Sequence, residues 1–261
     1  MDIGSIIGVI MSFGLILLGN HMEGGHLSSL LQLTAALIVL GGSTGACVLQ
    51  FPMSTTIDSL KSILRVFGNQ KSDPDTTISQ IVDYAKRARR EGILALEKEI
   101  PNLKDEFFAK ALRMAVDGLE PKQLIETMET ELETIEEEAE GPVKFWEAVG
   151  GYAPTMGILG AVLGLIHVMS NLDDPSKLGA GIAVAFVATV YGVGSANVLF
   201  LPFSAKLKLK NRDLMKSREI MLKGVLLIQE GINHSIIEEQ LKSFLSKKQR
   251  QKYEGAHGSP K

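Results

Sequence analysis

Residues 150–172 read GGYAPTMGILGAVLGLIHVMSNL, without one Asp, Glu, Lys or Arg. The charge-free run reaches back to residue 148, and three others match it at 3–22, 24–57 and 178–205. About 20 apolar helical residues cross the ~30 Å hydrocarbon core of a bilayer. Four such runs make this an all-α membrane protein with four transmembrane helices. The chain averages hide this, because 22% of its 261 residues are charged and the net charge is only −3. The polar residues are segregated: all 27 Lys and Arg lie beyond residue 60, and between 145 and 205 only Lys177 is basic.

That segregation sets the topology. Residues 20–26, between the first two runs, hold no Lys or Arg, and residues 171–177 (NLDDPSK) hold one. Basic residues stay on the cytoplasmic side. Both short loops are therefore expected outside, and both termini inside. The division expected is 1–53 for the first two spans, 54–144 for a large helical cytoplasmic loop, 145–203 for spans three and four, and 204–261 for a cytoplasmic tail. The N-terminus lacks the positive start of a secretory signal, so the first run is expected to be a retained span.

In the large loop, residues 68–77 (GNQKSDPDTT) read as a linker. From Thr77, apolar Ile78, Ile81, Val82, Ala85, Ile93 and Leu96 fit a helix with one buried stripe. Arg87 and Glu91 have i,i+4 spacing. A second helical pattern from Pro121 to Ala139 places Leu124, Ile125, Met128, Leu132 and Ile135 inward, and Gly141-Pro142 is expected to end it. After span four, Lys206, Lys208, Lys210 and Arg212 suit anionic lipid headgroups. A helix is expected to run on to Glu230. Ser235 and Glu238 have capping-box spacing before residues 236–245, and the last ten residues are expected to be disordered.

Spans three and four carry the chemistry. Ala153, Gly157, Gly160 and Gly164 form a small-residue stripe on one, and Gly181, Ala185, Ala188, Gly192 and Ser195 one on the other. Small faces allow close helix approach in lipid. Either the stripes pack on each other within one subunit, or they hold another protein's helix; the second reading assigns partner-helix packing to Gly157, Gly160, Gly164, Ala185, Ala188 and Gly192. Pro154 and Pro202 each remove a backbone hydrogen bond, and Thr155 and Thr189 place hydroxyls at membrane depth. No span contains Asp or Glu. Ion translocation usually needs a titratable group in the membrane, so if this chain conducts ions the carboxylate must come from a partner.

Other classes drop out. A pI near 6.0 with no basic domain argues against nucleic acid. Cys47 is alone, so no intrachain disulfide forms. No P-loop, HExxH or GxSxG motif is present, and no enzyme or cofactor is expected. His21, Glu23 and His26 in a glycine-rich loop lack a fourth ligand, so no metal site is expected there. His167, near the outer end of span three, reads as an interfacial histidine.

Three motifs resemble the MotA family of flagellar stator subunits: ARREGILALE at 88–97, YAPTMGILGAVLGLIHVM at 152–169, and AFVATVYG at 185–192 followed by Pro202. The resemblance covers essentially the whole chain. It implies an inner-membrane homopentamer around MotB, whose membrane aspartate binds the ion, with cytoplasmic loops driving the rotor protein FliG. It also implies that Arg89 and Glu97, flanked by Arg90 and Glu99, meet the rotor. Pro154 and Pro202 match prolines linked to coupling, with Thr155 beside the first, and Thr189 matches a threonine near the ion path. Sodium-type relatives tend to carry Thr where this chain has Ala161, so protons are the expected ion and sodium the alternative. An ExbB- or TolQ-like motor, with one span before its main loop, and a passive scaffold are the other readings.

Overall fold

The computed structural model describes residues 2–68, 74–170 and 175–257. Parts of the expected linker (69–73), of the NLDDPSK loop (171–174) and of the tail (258–261) lie outside the described residues. No strand occurs among the described residues. The chain divides into two compact units: Met1–Gln70 with Ala139–Leu209, and Lys71–Glu138 with Lys210–Lys261.

Among the described residues four helices are long and apolar enough to cross a membrane, and their charge-free stretches fall in the first unit. α1 (Ile3–Met22) buries none of its residues, which suits a uniformly apolar helix whose solvent is hydrocarbon. Its start is fixed. Asp2 caps it by accepting from the Ser5 N–H at 3.4 Å, donates its own N–H to the Phe67 carbonyl at 2.8 Å, and forms an ion pair with Lys206.

Span two, Leu27–Gln50, is not one smooth helix. α2 (Leu27–Leu30) stops at extended Leu31 and Gln32 before α3 (Leu33–Ala36), a π-helical turn (Leu37–Gly41) and α4 (Gly42–Gln50). Beside the π turn, Ser43 and Thr44 hydroxyls donate to the Val39 and Leu40 carbonyls, both at 2.6 Å. Phe51, extended before Pro52, ends the span, and α5 (Met53–Phe67) follows.

α8 (Pro121–Met169) contains span three, and α9 (Pro175–Ser195), a π turn (Ala196–Phe200) and α10 (Leu201–Gln229) contain span four. The expected break at Gly141-Pro142 does not occur: α8 runs through it. Pro142 forfeits one ladder bond, while the ion pair Lys144–Glu140 straddles the site and holds the Glu140 carboxyl below its usual range. Gly141 serves close approach instead, since a Cβ there would meet Thr55 Cγ2 of α5 at 3.0 Å. An aromatic cluster knits α5, α8 and α10. Trp146 stacks on Phe200 and meets Phe145 and Phe203 edge-on, and its indole N–H donates to the Ser59 carbonyl and the Ser62 hydroxyl.

The second unit has a conventional core. α6 (Pro74–Glu91) starts three residues before the expected Thr77, with Pro74 in its first turn, where proline loses nothing. A 3₁₀ run (Ile93–Asn102) and α7 (Glu106–Val116) follow. Ile78, Ile81, Leu96, Phe107, Phe108 and Leu112 meet Leu124 and Met128 of α8 and Ile220 and Val225 of α10 in one apolar cluster. α11 (His234–Lys242) is capped by Asn233, which accepts from the Ser235 N–H at 3.1 Å, so the expected Ser235–Glu238 box is not the cap. α12 (Lys247–His257) orders most of the tail expected to be disordered, because Tyr253 is buried and Arg250 pairs with Glu239 and Glu254. The expected basic lipid-facing run is also revised: Lys206 is held by Asp2 and Lys210 is buried, leaving Lys208 and Arg212 exposed.

Candidate functional site

The loop charges sit where α6 hands over to the 3₁₀ run. Arg89 and Arg90 lie exposed in the last turn of α6. Gly92 then adopts φ +83°, a left-handed conformation that side chains resist, and turns the chain. In a 3₁₀ helix side chains three apart eclipse. Here Leu96 and Ile100 enter the core, while Leu94 and Glu97 remain exposed. Glu99 departs from expectation: it is half-buried and its carboxylate is taken by Arg87, twelve residues away. Glu99 is therefore occupied within the chain, and Arg87 pairs with it rather than with Glu91. Tyr84 backs this turn; burial pushes its phenol up, and Gln80 donates to its hydroxyl at 2.8 Å.

In the membrane unit the two small-residue stripes face each other. A Cβ on Gly157 would lie 2.9 Å from the Ala188 carbonyl oxygen and 3.2 Å from Gly192 Cα. One on Gly160 would meet Ala188 Cβ at 2.7 Å, and one on Gly164 the Ala185 nitrogen at 2.9 Å. One on Gly192 would meet the Ala153 carbonyl oxygen at 2.6 Å. For Gly157, Gly160, Gly164, Ala185, Ala188 and Gly192 these distances favour the reading in which the stripes pack on each other within one subunit, with span four of the same chain against that face of span three.

Thr155 and Thr189 both donate to their own helix, to the Tyr152 carbonyl at 2.7 Å and the Ala185 carbonyl at 3.2 Å. A hydroxyl used as donor keeps its lone pairs, so each can still accept from water or hold a cation. Thr155 is exposed, and Pro154 and Ala161 are half-buried on the same helix. Pro154 leaves α8 helical but removes the N–H that would bond the Gly150 carbonyl. Pro202, exposed, is separated by Leu201 alone from the π turn, whose wider spacing relieves the clash between a proline ring and the carbonyl four residues back. Asn197 donates to the Val193 carbonyl at 2.9 Å across the same stretch.

Two residues escaped sequence reasoning. Tyr191 donates to the Leu30 carbonyl at 2.6 Å and accepts from the Gln32 N–H at 3.3 Å, so span four holds the break in span two. The only sequence signal was a tyrosine inside an apolar run. Asp2 anchors α1, and the Lys206 hydrogen bond lowers its carboxyl to about 2. A carboxylate with a depressed value contributes stability above its ordinary value near 4, lost as pH falls toward 2. The α1 anchor is therefore expected to be insensitive to pH from about 5 upward. Protease access to residues 2–8, measured at neutral pH, should rise in Asp2→Asn and stay low in the parent.

His21, Glu23 and His26 do not form a metal-holding group among the described residues. His167, exposed, has its carbonyl accepting from the Ser170 hydroxyl at 2.9 Å.

Two family models match the chain: the Motility protein A N-terminal model over residues 6–92, and the MotA/TolQ/ExbB proton channel family over residues 99–220. Motility protein A of Bacillus subtilis is 37% identical over 97% of this chain and 94% of its own. Chemotaxis protein PomA of Vibrio alginolyticus is 32% identical over 96% of this chain and 98% of its own. The C. jejuni MotAB structure superposes with a TM-score of 0.90 at 33% identity, covering 100% of this chain and 98% of that one. The flagellar MotAB stator complex of Bacillus subtilis gives 0.88 at 37%, covering 95% and 98%. Matched from its first span to its tail, with two spans before residue 54, the chain belongs to the MotA/TolQ/ExbB proton channel family, in its motility protein A branch.

Proposed function

We propose that this chain is the ion-conducting subunit of a flagellar stator, which with a MotB-type partner converts ion flow into torque on the rotor. The observation that carries this is a membrane unit with hydroxyls and proline-modified backbone but no carboxylate in any span. Such a wall can guide an ion only if a partner brings the acid. The chain is multi-pass in the inner membrane, with both termini cytoplasmic by the basic-residue rule. Five copies surround two copies of MotB, and no resident cofactor or enzyme chemistry is involved. One charge crossing ~100 mV releases about 2.3 kcal/mol, so each torque step is small and repeated. With its cognate partner in a stator-less host, the chain should restore rotation, and the partner's membrane Asp→Asn should stop it; continued rotation of that pair would sink the assignment.

Protons are the ion. Ala161 offers no oxygen ligand, and sodium needs several, whereas the two threonine hydroxyls of Thr155 and Thr189 supply at most one each. A proton needs only the partner's carboxylate and a water chain. Rotation should persist when sodium is replaced by potassium at constant pH and membrane potential; arrest would establish sodium coupling.

Arg89, Arg90 and Glu97 form the rotor contact on FliG, with Glu99 serving to hold Arg87 and the turn in place. Single exposed ion pairs are worth ~0–1 kcal/mol, so Arg89→Glu alone should reduce torque only partly. Reversing Arg89 and Glu97 together should be more severe, at unchanged protein level. Normal swimming of the double variant would remove these charges from the contact.

A further inference from the structure

In the second unit, Leu94 and Ile236 are the two large apolar side chains left largely exposed among the described residues, and Leu94 is the more open at 67%. Leu94 is not a floppy loop residue. It stands on the 3₁₀ run whose Leu96 and Ile100 are inserted in the core, between the left-handed Gly92 and the Arg87–Glu99 ion pair. Leu94 and Glu97 are both exposed on that run, three residues apart. Arg89 and Arg90 lie exposed before Gly92, and Lys98 follows Glu97, also exposed. A rigid apolar knob with solvated charges around it has the layout of an interface, an apolar centre within a polar rim.

We infer that Leu94 is the apolar anchor of the rotor contact, inserting into an apolar recess on a protein partner whose rim carries an acidic group toward Arg89 and Arg90 and a basic group toward Glu97. The inference rests on the reading of this turn as the rotor-facing surface and adds what the charges lack. Exposed ion pairs are individually weak and screened by salt. An intermittently loaded contact needs a term that salt does not screen, and burial of one leucine provides it. Exposed charges of both signs flank the knob, Glu91 beside Arg89 and Arg90 on one side and Lys98 beside Glu97 on the other. This fits a partner with charges of both signs rather than an anionic lipid surface, which would repel Glu97.

The test uses the full chain with its cognate MotB partner in a stator-less host, reading torque from tethered-cell rotation and assembly from co-purification of the partner. Leu94→Ser changes a surface side chain, so folding and assembly should stay at the parent level. Torque should fall severalfold, and Leu94→Met, which keeps the apolar bulk, should restore it. Parental torque in Leu94→Ser, beside a loss in the Arg89→Glu, Glu97→Lys double variant, would overturn the anchor while leaving the rotor-facing reading intact. Parental torque in both would overturn both. Loss of partner co-purification in Leu94→Ser, or a change in particle size, would show that a second copy covers Leu94 and would overturn the inference. Equal failure of Leu94→Met and Leu94→Ser would do the same.

Discussion

Gly192→Leu is expected to abolish rotation and to lower the melting temperature of the purified stator complex, whereas Gly194→Leu, two residues along the same helix, leaves the melting temperature near the parent's. A Cβ at Gly192 would sit 2.6 Å from the Ala153 carbonyl oxygen and 3.0 Å from Gly157 Cα, whereas one at Gly194 meets nothing within 4 Å. The obstacles at Gly192 are backbone atoms, so no rotamer change relieves them and the helices must separate. Overpacking typically costs ~1–3 kcal/mol where side chains can adjust, and here they cannot. Separation would also open the Gly157–Ala188 and Gly164–Ala185 contacts, because the stripe is one continuous seam. Thr189, whose Cα would lie 3.4 Å from a Cβ on Gly157, would move with it, so loss of rotation should accompany loss of stability. Gly192→Ala tests the gradient: its single methyl group meets the same carbonyl and should give an intermediate melting temperature. Equal behaviour of Gly192→Leu and Gly194→Leu would remove the seam from the account.

The spans were legible because crossing a bilayer demands a one-dimensional property, about 20 residues without charge, that any reading of the chain detects. What the small residues pack against was not. Gly157 and Gly192 announce close approach, but a stripe has the same pattern whether its neighbour is span four or a foreign helix; only the 2.6 to 3.2 Å virtual contacts decide. The break in span two was invisible because it is held from far along the chain by the Tyr191 hydroxyl. Pro142 was read as the end of a helix that in fact continues through it, at the loss of a single ladder bond. α7 could have been found: Asp105 caps it by accepting from the Phe108 N–H at 3.1 Å, and Phe107, Phe108, Ala111, Leu112 and Ala115 repeat with helical spacing. In the candidate contact, Arg89, Arg90 and Glu97 were legible as exposed charges. The pairing of Glu99 was not legible, because its partner Arg87 lies across the turn at Gly92 rather than at any local charge spacing.

Trp146→Ala should be the most damaging single truncation in the membrane unit, and Trp146→Phe should recover most of the loss. The indole is 4% exposed, stacked on Phe200 at 5.8 Å between centroids and edge-on to Phe145 and Phe203 at 5.4 and 5.9 Å. Removing a buried aromatic side chain costs ~3–5 kcal/mol, part of it for the cavity left behind. Phenylalanine keeps most of the ring area and forfeits the two indole hydrogen bonds. Neither acceptor is orphaned by that change: the Ser59 carbonyl still accepts from the Ser62 hydroxyl at 2.6 Å. The cost of Trp146→Phe should therefore stay near ~1 kcal/mol, the net worth of an ordinary hydrogen bond. Function should fail before assembly does. Phe200 ends the π turn that precedes Pro202, and Phe203 follows that proline, so the cavity in Trp146→Ala lies against the segment that must stay in register for coupling. Rotation should fail in Trp146→Ala even at temperatures where the complex remains assembled, while Trp146→Phe rotates. Thermal melts of the two purified variants, read beside tethered-cell rotation, separate these effects. Equal destabilisation of the two would assign the role of Trp146 to its hydrogen bonds, and normal rotation of an assembled Trp146→Ala complex would uncouple the aromatic cluster from Pro202.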